Sequence, residues 1–436
     1  MIAIVGGGIS GLALGVSLVR AGVEVRVFEA KREVGGVIRT LSVGEHTLEL
    51  GPQRLRGTPG VLAHLQGRAI HRVGPEHARI FVVRGGTLHP LPRSLPEFLR
   101  SRAISVRGKA RAALEPLVAL LPAQPGASAA DLLRRRLGSE VYRAFAGPLL
   151  GGLYGSDPEE IDAERTVRPA MRTLGIRTFA GAIAGGSSAL PEAPVVVPAE
   201  GMVGLPRALA EEVRDFAPHA LLTDTPVRRV HRLDPGRFLL ETPAGSHEAE
   251  VVVLTTPPPA TARLLGPVAP TAAEQIGSLR MNPIEMVHLE VPELPAGLGF
   301  KVAFGEGLPI RGATWSGNLD GRGRTAVVYL EPSRVGPDGP GAHADPTDAM
   351  TMAAESFTAV TGIPAHPIHH HCARMPAWDR SWRALDGLSL PDGIHLLGSY
   401  TGRPGIPGRL AAGASLARTL VEARHRGRSQ DGSGVP

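Results

Sequence analysis

The sequence opens with Gly6-x-Gly8-x-x-Gly11, and a glutamate, Glu29, follows 18 residues after the last of these glycines. Glycines at this spacing suit a backbone turn that must come close to a bulky anion. Gly6 permits the tight turn, Gly8 lets a pyrophosphate reach the main chain, and Gly11 lets the next helix pack on the strand. Ile9 and Ser10 complete the turn. The free N–H groups and dipole of a helix N-terminus there favour negative charge. Glu29, followed by Ala30 and Lys31, stands where a carboxylate accepts hydrogen bonds from a ribose diol. The chemistry indicated is dinucleotide binding, and at this point NAD and FAD both fit.

The elements that must position these residues can be read around them. Ile2–Val5 is a short apolar run, LALGVSLVRAG (12–22) has helical apolar spacing, and VEVRVFE (23–29) has strand character. Residues 79–92 predict a hairpin turned at Gly85-Gly86. Ser128 can cap a helix in which Leu133, Leu137, Val141 and Phe145 recur every four residues as a core stripe. Residues 185–201 read as a loop. Residues 227–256 are strand-rich (PVRRV, RFLLET, EVVVLTT) and end at Pro257-Pro258-Pro259. Further strands are expected within 284–330. IHLLGSY (394–400) predicts one more strand, then a glycine-rich turn, a helix from about Leu410, and a polar, disordered tail from His425.

A chain of 436 residues is too long for one ordinary domain, and 43% hydrophobic residues supply a sizeable core. The 55 glycines and 40 prolines imply many tight turns. The formal net charge is +6, carried almost wholly by arginine, since the only lysines are Lys31, Lys109 and Lys301. Arginine forks onto carboxylates and phosphates. Here the arginines are spread along the whole chain, as a GC-rich genome would produce, and no nucleic-acid partner is expected. One cysteine, Cys372, excludes an internal disulfide framework and suits a reducing compartment. The first strand starts at once, and no run reaches the roughly 18 apolar residues of a membrane span. A cytoplasmic protein is expected, with peripheral contact at the inner face of the membrane left open. His369-His370-His371-Cys372 invites a metal reading, but consecutive strand residues alternate faces and no carboxylate partner stands nearby in sequence, so no metal is expected.

What separates FAD from NAD lies further on. Gly35-Gly36-x-x-Arg39-Thr40 follows the acid, where a glycine pair lets backbone pass a second bulky group and Arg39 adds charge near phosphate. This pattern resembles the FAD-binding family that contains amine oxidases and carotenoid desaturases. The segment Gly398 to Pro407 (GSYTGRPGIP), with Gly405, Ile406 and Pro407 opening a helix, resembles the family segment that runs along the flavin ring. Two departures stand out: Gly408-Arg409 replaces the family's Asp-Cys, and the usual glycine is displaced to Gly402. Within this family the chain resembles protoporphyrinogen oxidases and the related bacterial coproporphyrinogen oxidases nearly end to end. ELGPQRLR (49–56), RIFVVRGGTLHPLP (79–92), GLYGSDP (152–158) and GMVGLP (201–206) each resemble a family segment, in the family's order.

The resemblance implies an α/β protein with an α+β substrate domain. A discontinuous Rossmann-like FAD-binding domain would comprise residues 1–75, 195–268 and 386–424. A mixed-sheet substrate domain would comprise 76–92, 171–194 and 269–385, with a helical insertion at 93–170 and a tail at 425–436. It implies six-electron oxidation of protoporphyrinogen IX or coproporphyrinogen III to the porphyrin in heme synthesis, with oxygen the expected acceptor. It extends the FAD contacts to Gly51, Pro52, Val227 and Thr256, and assigns Arg79 to a substrate propionate, with Gln53 and Tyr400 lining the pocket. No catalytic side chain is assigned, because aromatisation of the substrate drives the loss of its hydrogens and the flavin performs the chemistry. No cysteine lies near the C-terminal loop, so FAD is expected to be non-covalent. Another flavin amine oxidase or desaturase is the first alternative. Against it, residues 276–291, which resemble the amine oxidase segment bearing a lysine near the flavin, contain none, and aromatic residues are only 4%. A non-catalytic porphyrin-binding flavoprotein is the second alternative. Residues 93–111 hold six basic residues and one acid, with Leu and Phe between them. They can meet an anionic membrane or be a solvated basic face.

Overall fold

The computed structural model describes residues 1–122, 124–184, 193–234, 236–321, 323–333, 342–402 and 405–431. Residues 185–192 of the loop expected at 185–201, and Arg403-Pro404 of the C-terminal motif, lie outside the described residues. The rest of that expected loop is corrected: Val195–Pro198 is a strand, paired with Leu55–Arg56 and Ile70–Arg72.

The fold is α/β, built on one parallel and one mixed sheet with three smaller antiparallel sheets beside them. Ile2–Val5 is buried at every position, the pattern of a strand covered on both faces. It sits at the centre of a five-stranded sheet ordered Leu221–Leu222, Val25–Phe28, Ile2–Val5, Val251–Leu254, Ile394–Leu396. All its neighbouring pairs are parallel. Residues from both ends of the chain therefore share one sheet. Helix Ile9–Arg20 packs its buried face on that sheet and on helices Gly204–Phe216 and Ile406–Asp431.

The second sheet has seven strands, ordered His366–Pro376, Met281–Glu290, Thr325–Leu330, Ile310–Thr314, Gly299–Val302, Ile80–Arg84, Thr87–Pro90. Only Gly299–Val302 with Ile80–Arg84 is parallel. One face carries Val287, Leu289, Phe300, Val302 and Val328, which close on Ala353 and Phe357 of helix Pro346–Thr361. The alternate positions point to the other face. There Val82 packs with Phe98, Leu133, Leu137, Val141 and Phe145 of a helical layer.

The hairpin at Gly85-Gly86 forms as expected, with both glycines at positive φ. Ser128 caps helix Ala129–Leu137 in a reciprocal capping box with Asp131. The four-residue stripe is core, but not one helix. Gly138, at φ 86, ends the first segment, and Ser139–Val141 and the wider-wound Tyr142–Ala146 continue the stripe. The C-terminal helix begins at Ile406 rather than about Leu410, because Gly405 at φ 81 supplies the turn. The helix runs on to Asp431, into the tail expected to be disordered from His425, while residues 432–436 lie outside the described residues. Among the described residues, no helix is long and apolar enough to cross a membrane.

Candidate functional site

The strands of the parallel sheet all end on one edge. Gly6 follows Val5, Glu29 follows Phe28, Thr255-Thr256 follow Leu254, and Leu397-Gly398 follow Leu396. Ligands of open α/β sheets bind in the crevice outside such carboxyl ends.

Gly6 takes φ 115, and its N–H donates to the Phe28 carbonyl at 2.8 Å. Thr255 Oγ1 donates to the carbonyls of Val5 and Gly6, at 3.0 and 2.9 Å, which pins the turn from the next strand. A Cβ on Gly11 would stand 2.0 Å from the Gly6 carbonyl oxygen, so only glycine fits there. Gly8 is different: a Cβ there would meet nothing within 4 Å. Gly8 caps helix Ile9–Arg20, whose first N–H groups, those of Ile9, Ser10 and Gly11 among them, have no partner within the helix. An open backbone cradle at a helix N-terminus fits a pyrophosphate.

Glu29 is buried. One carboxylate oxygen accepts from Gly7 N–H at 2.7 Å, the other from Lys31 N–H at 2.9 Å, and Ala30 lies between them in sequence. Its carbonyl accepts from Thr225 N–H at 2.8 Å, two residues before the buried Val227. Thr256 lies under Gly6 with its hydroxyl on Thr261 at 2.8 Å. Gly35 donates its N–H to the Gly7 carbonyl at 2.9 Å, and a Cβ on Gly36 would come 3.4 Å from Gly8 Cα. The two glycine turns thus face each other. Gly51, next to Pro52, lies against the Val37 carbonyl, 2.1 Å from where a Cβ would be. Burial, then the field of His369 and then that of Arg39, lower the His371 imidazole's pKa, so Arg39 lies close to it. At the C-terminal segment, Gly405, Ile406 and Pro407 form the turn and first residues of the last helix. Arg409, where the family carries cysteine, is buried and donates to the Gly398 carbonyl, so the altered loop is tied back by its own side chain.

The residues assigned to substrate do not converge. Arg79 pairs with Glu97 at 3.3 Å with its side chain 40% exposed. Tyr400 is 1% exposed, packs in the core and holds Thr261 Oγ1 at 2.9 Å, and burial pushes its phenol up to about 12. Gln53 is buried. Its amide nitrogen donates to the Glu49 and Gly51 carbonyls, at 2.8 and 3.1 Å, and its amide oxygen has no partner. It shares a narrow cavity with Glu49 and His288. Burial raises the Glu49 carboxyl to about 7, although Met202 N–H and Thr40 Oγ1 both donate to it at 2.8 Å. Burial likewise lowers His288 to about 3.

Sequence reasoning missed the polar face of the seven-stranded sheet. Lys301, Gly312, Tyr329, Met286 and His371 are successive register partners across five strands. Helix Gly147–Tyr154 covers the Lys301 end, where a Cβ on Gly152 would stand 2.6 Å from Lys301 Nζ. Gly155 meets Ile284 further along the face. A signal was available: Lys301 interrupts the apolar run Gly299–Ala303, and an ionisable group at one alternate position of a strand marks the face it points to. The histidine run divides as strand alternation requires, but the absence of a carboxylate is corrected. Glu285 stands on the paired strand and accepts from His370 Nε2 at 2.7 Å and from His343 N–H at 3.1 Å, which holds its carboxyl down against burial.

Comparison with known proteins places this geometry. The chain is 28% identical over 451 aligned positions to the coproporphyrinogen III oxidase of Mycobacterium tuberculosis, covering 96% of this chain and 97% of that one. It is 28% identical to the chloroplastic protoporphyrinogen oxidase 1 of Arabidopsis thaliana over 66% of this chain and 58% of that one. The solved structure of a candidate protoporphyrinogen oxidase from Exiguobacterium superposes with a TM-score of 0.75 at 20% identity, covering 97% and 98% of the two chains, a likeness of fold. Residues 9–336 match the sequence pattern of the flavin containing amine oxidoreductases. With its glycine cradle and buried acid at the carboxyl edge of the parallel sheet, the chain belongs to the flavin containing amine oxidoreductase family.

Proposed function

We propose that the chain oxidises a porphyrinogen, coproporphyrinogen III or protoporphyrinogen IX, to the porphyrin. FAD is held non-covalently and oxygen is the acceptor. The observation that carries the reading is similarity to a coproporphyrinogen III oxidase along 96% of the chain, rather than in the cofactor motifs alone. The bound flavin would accept two electrons in each of three successive oxidations. The chain's own residues bind and orient. Gly6, Gly8 and Gly11 admit the pyrophosphate, Glu29 takes the ribose, Gly35-Gly36 and Gly51-Pro52 pass beside the cofactor, and Gly405-Ile406-Pro407 aims a helix N-terminus at the ring. Arg79, Gln53 and Tyr400 keep only the roles that the resemblance implies. The flavin part would be assembled from residues 1–75, 195–268 and 386–424.

Helices Leu95–Arg100, Val106–Ala113 and Glu115–Val118 expose Leu99, Val106 and Leu117 among exposed Arg100, Arg102 and Arg107. This supports peripheral contact with an anionic membrane surface. The reaction is tested by anaerobic mixing of the FAD-loaded protein with each porphyrinogen. Bleaching of the oxidised flavin band is expected with at least one, and no bleaching with either rejects the reaction.

A further inference from the structure

The polar face of the seven-stranded sheet holds Lys301, within the field of Arg54 and, among the described residues, without a paired anion. Lys301, Gly312 and Tyr329 are direct register partners on three adjacent strands. Gly312 places no side chain between its neighbours, and a Cβ there would stand 2.3 Å from the Phe300 carbonyl oxygen. The Lys301 ammonium can therefore lean across the gap, 5.4 Å from the Tyr329 ring centroid, within cation–π range. Arg54 lies two residues after Pro52 and is half-buried. Its positive field acts on both Lys301 and Tyr329. Helix Gly147–Tyr154 forms the third wall, with Gly152 leaving room for the ammonium.

Among the described residues, no carboxylate pairs with Arg54 or Lys301, and neither side chain makes a hydrogen bond. Several neighbouring or comparably enclosed cations are partnered. Arg311, whose field also reaches Lys301, pairs with Glu331 at 3.1 Å; Arg84 pairs with Glu140 at 3.0 Å and Arg280 with Asp379 at 2.6 Å. Arg54 and Lys301 are both half-buried. Holding two like charges together away from water is unfavourable unless an anion joins them.

We propose that Arg54 and Lys301, with Tyr329 beside them, form the subsite that takes a carboxylate of the substrate. The inference rests on the porphyrinogen reading above, since the substrates named there carry propionates. It moves the role that resemblance assigned to Arg79, which lies at the surface on Glu97, to two residues to which the resemblance assigns none.

The test uses the FAD-loaded protein and two probes, coproporphyrin III and its tetramethyl ester, titrated by porphyrin fluorescence. Arg54→Met and Lys301→Met should each weaken the free acid by about thirty-fold or more, the ordinary consequence of truncating one partner of a buried charge pair. Ester affinity and flavin absorbance should be unchanged, Lys301→Arg should recover most of the loss, and Arg311→Met should change neither probe. Free-acid binding within twofold of the parent in both Met variants overturns the subsite. Equal losses for acid and ester also overturn it, because a damaged pocket would then be the cause, and so does a parent that binds neither probe. The binding assay needs no turnover. Charge-dependent binding without flavin bleaching would reject the reaction and keep the subsite, whereas turnover with unaffected variants would reject the subsite alone.

Discussion

Gly413 of the last helix lies directly on Leu14 of the first: a Cβ on Gly413 would stand 2.9 Å from the Leu14 backbone nitrogen and 3.0 Å from Ala13 Cβ. The helix behind the glycine cradle is thus buttressed by a segment almost 400 residues away in sequence. Gly413→Val must push the helices apart and is expected to destabilise the fold by about 1–3 kcal/mol, the usual range for overpacking. A lowered melting temperature and a lower flavin-to-protein absorbance ratio would check this. Ending the chain before Gly398 removes the contact altogether. Stoichiometric FAD retained in that truncation would contradict a flavin site shared between the two ends.

Glu29 holds the cradle by accepting from Gly7 N–H at 2.7 Å. Glu29→Ala leaves that donor unsatisfied, at a cost of about 1–3 kcal/mol, and removes the acceptor proposed for the ribose. FAD affinity, followed by flavin fluorescence on reconstitution, is expected to fall at least tenfold. Glu29→Gln, which keeps an acceptor oxygen, should lose less.

Glu49 makes stability depend on pH. Burial raises its carboxyl from 4.5 to about 7, so the folded state binds the proton more tightly than the unfolded chain does. The associated stability is fully present below pH 4.5 and is lost as pH rises through about 7. The difference amounts to up to about 3 kcal/mol, by 1.36 kcal/mol for each unit. Glu49→Gln fixes the neutral form, and Gln can still meet Thr40 and Met202. Denaturant titrations at pH 5 and pH 8 should show the parent losing stability between them through this group and the variant losing less.

The cradle was legible because its information is local: Gly6, Gly11, Gly35 and Gly36 hold backbone or contacts that only glycine tolerates, and Gly8 leaves the open space between them. The Gly85-Gly86 hairpin and the Ser128 cap were legible for the same reason. The polar row was not, because Lys301, Gly312 and Tyr329 become neighbours only once three strands have paired in one register, and no spacing in the chain encodes that register. Arg79 sits in the most family-like hairpin of the sequence, yet its orientation is decided by Glu97 on the following helix. The break at Gly138 failed for another reason. Apolar periodicity reports the buried face, and three short helical segments can present the same face as one long helix.

Lys301 couples binding to pH in the direction opposite to its effect on stability. Burial, then the fields of Arg54 and Arg311, lower its ammonium from 10.5 to about 8, with the Tyr329 ring alongside. The unliganded folded state therefore binds this proton less tightly than the unfolded chain does. The Lys301 contribution favours folding above pH 10.5 and is lost as pH falls through about 8, so the charged side chain costs up to about 3 kcal/mol at pH 7. Lys301→Met should accordingly be more stable than the parent at pH 7 without substrate, with the gap closing as pH rises towards 10. A carboxylate substrate needs the charged form. KM is expected to be flat below pH 8 and to rise above it in the parent, to rise only at higher pH in Lys301→Arg, and to be high and free of this limb in Lys301→Met. Melting curves and KM measured across pH 6.5–9.5 on the same preparations check both halves together. A Met variant less stable than the parent at pH 7, or one that keeps the alkaline rise in KM, would show that Lys301 is not held charged for an anion.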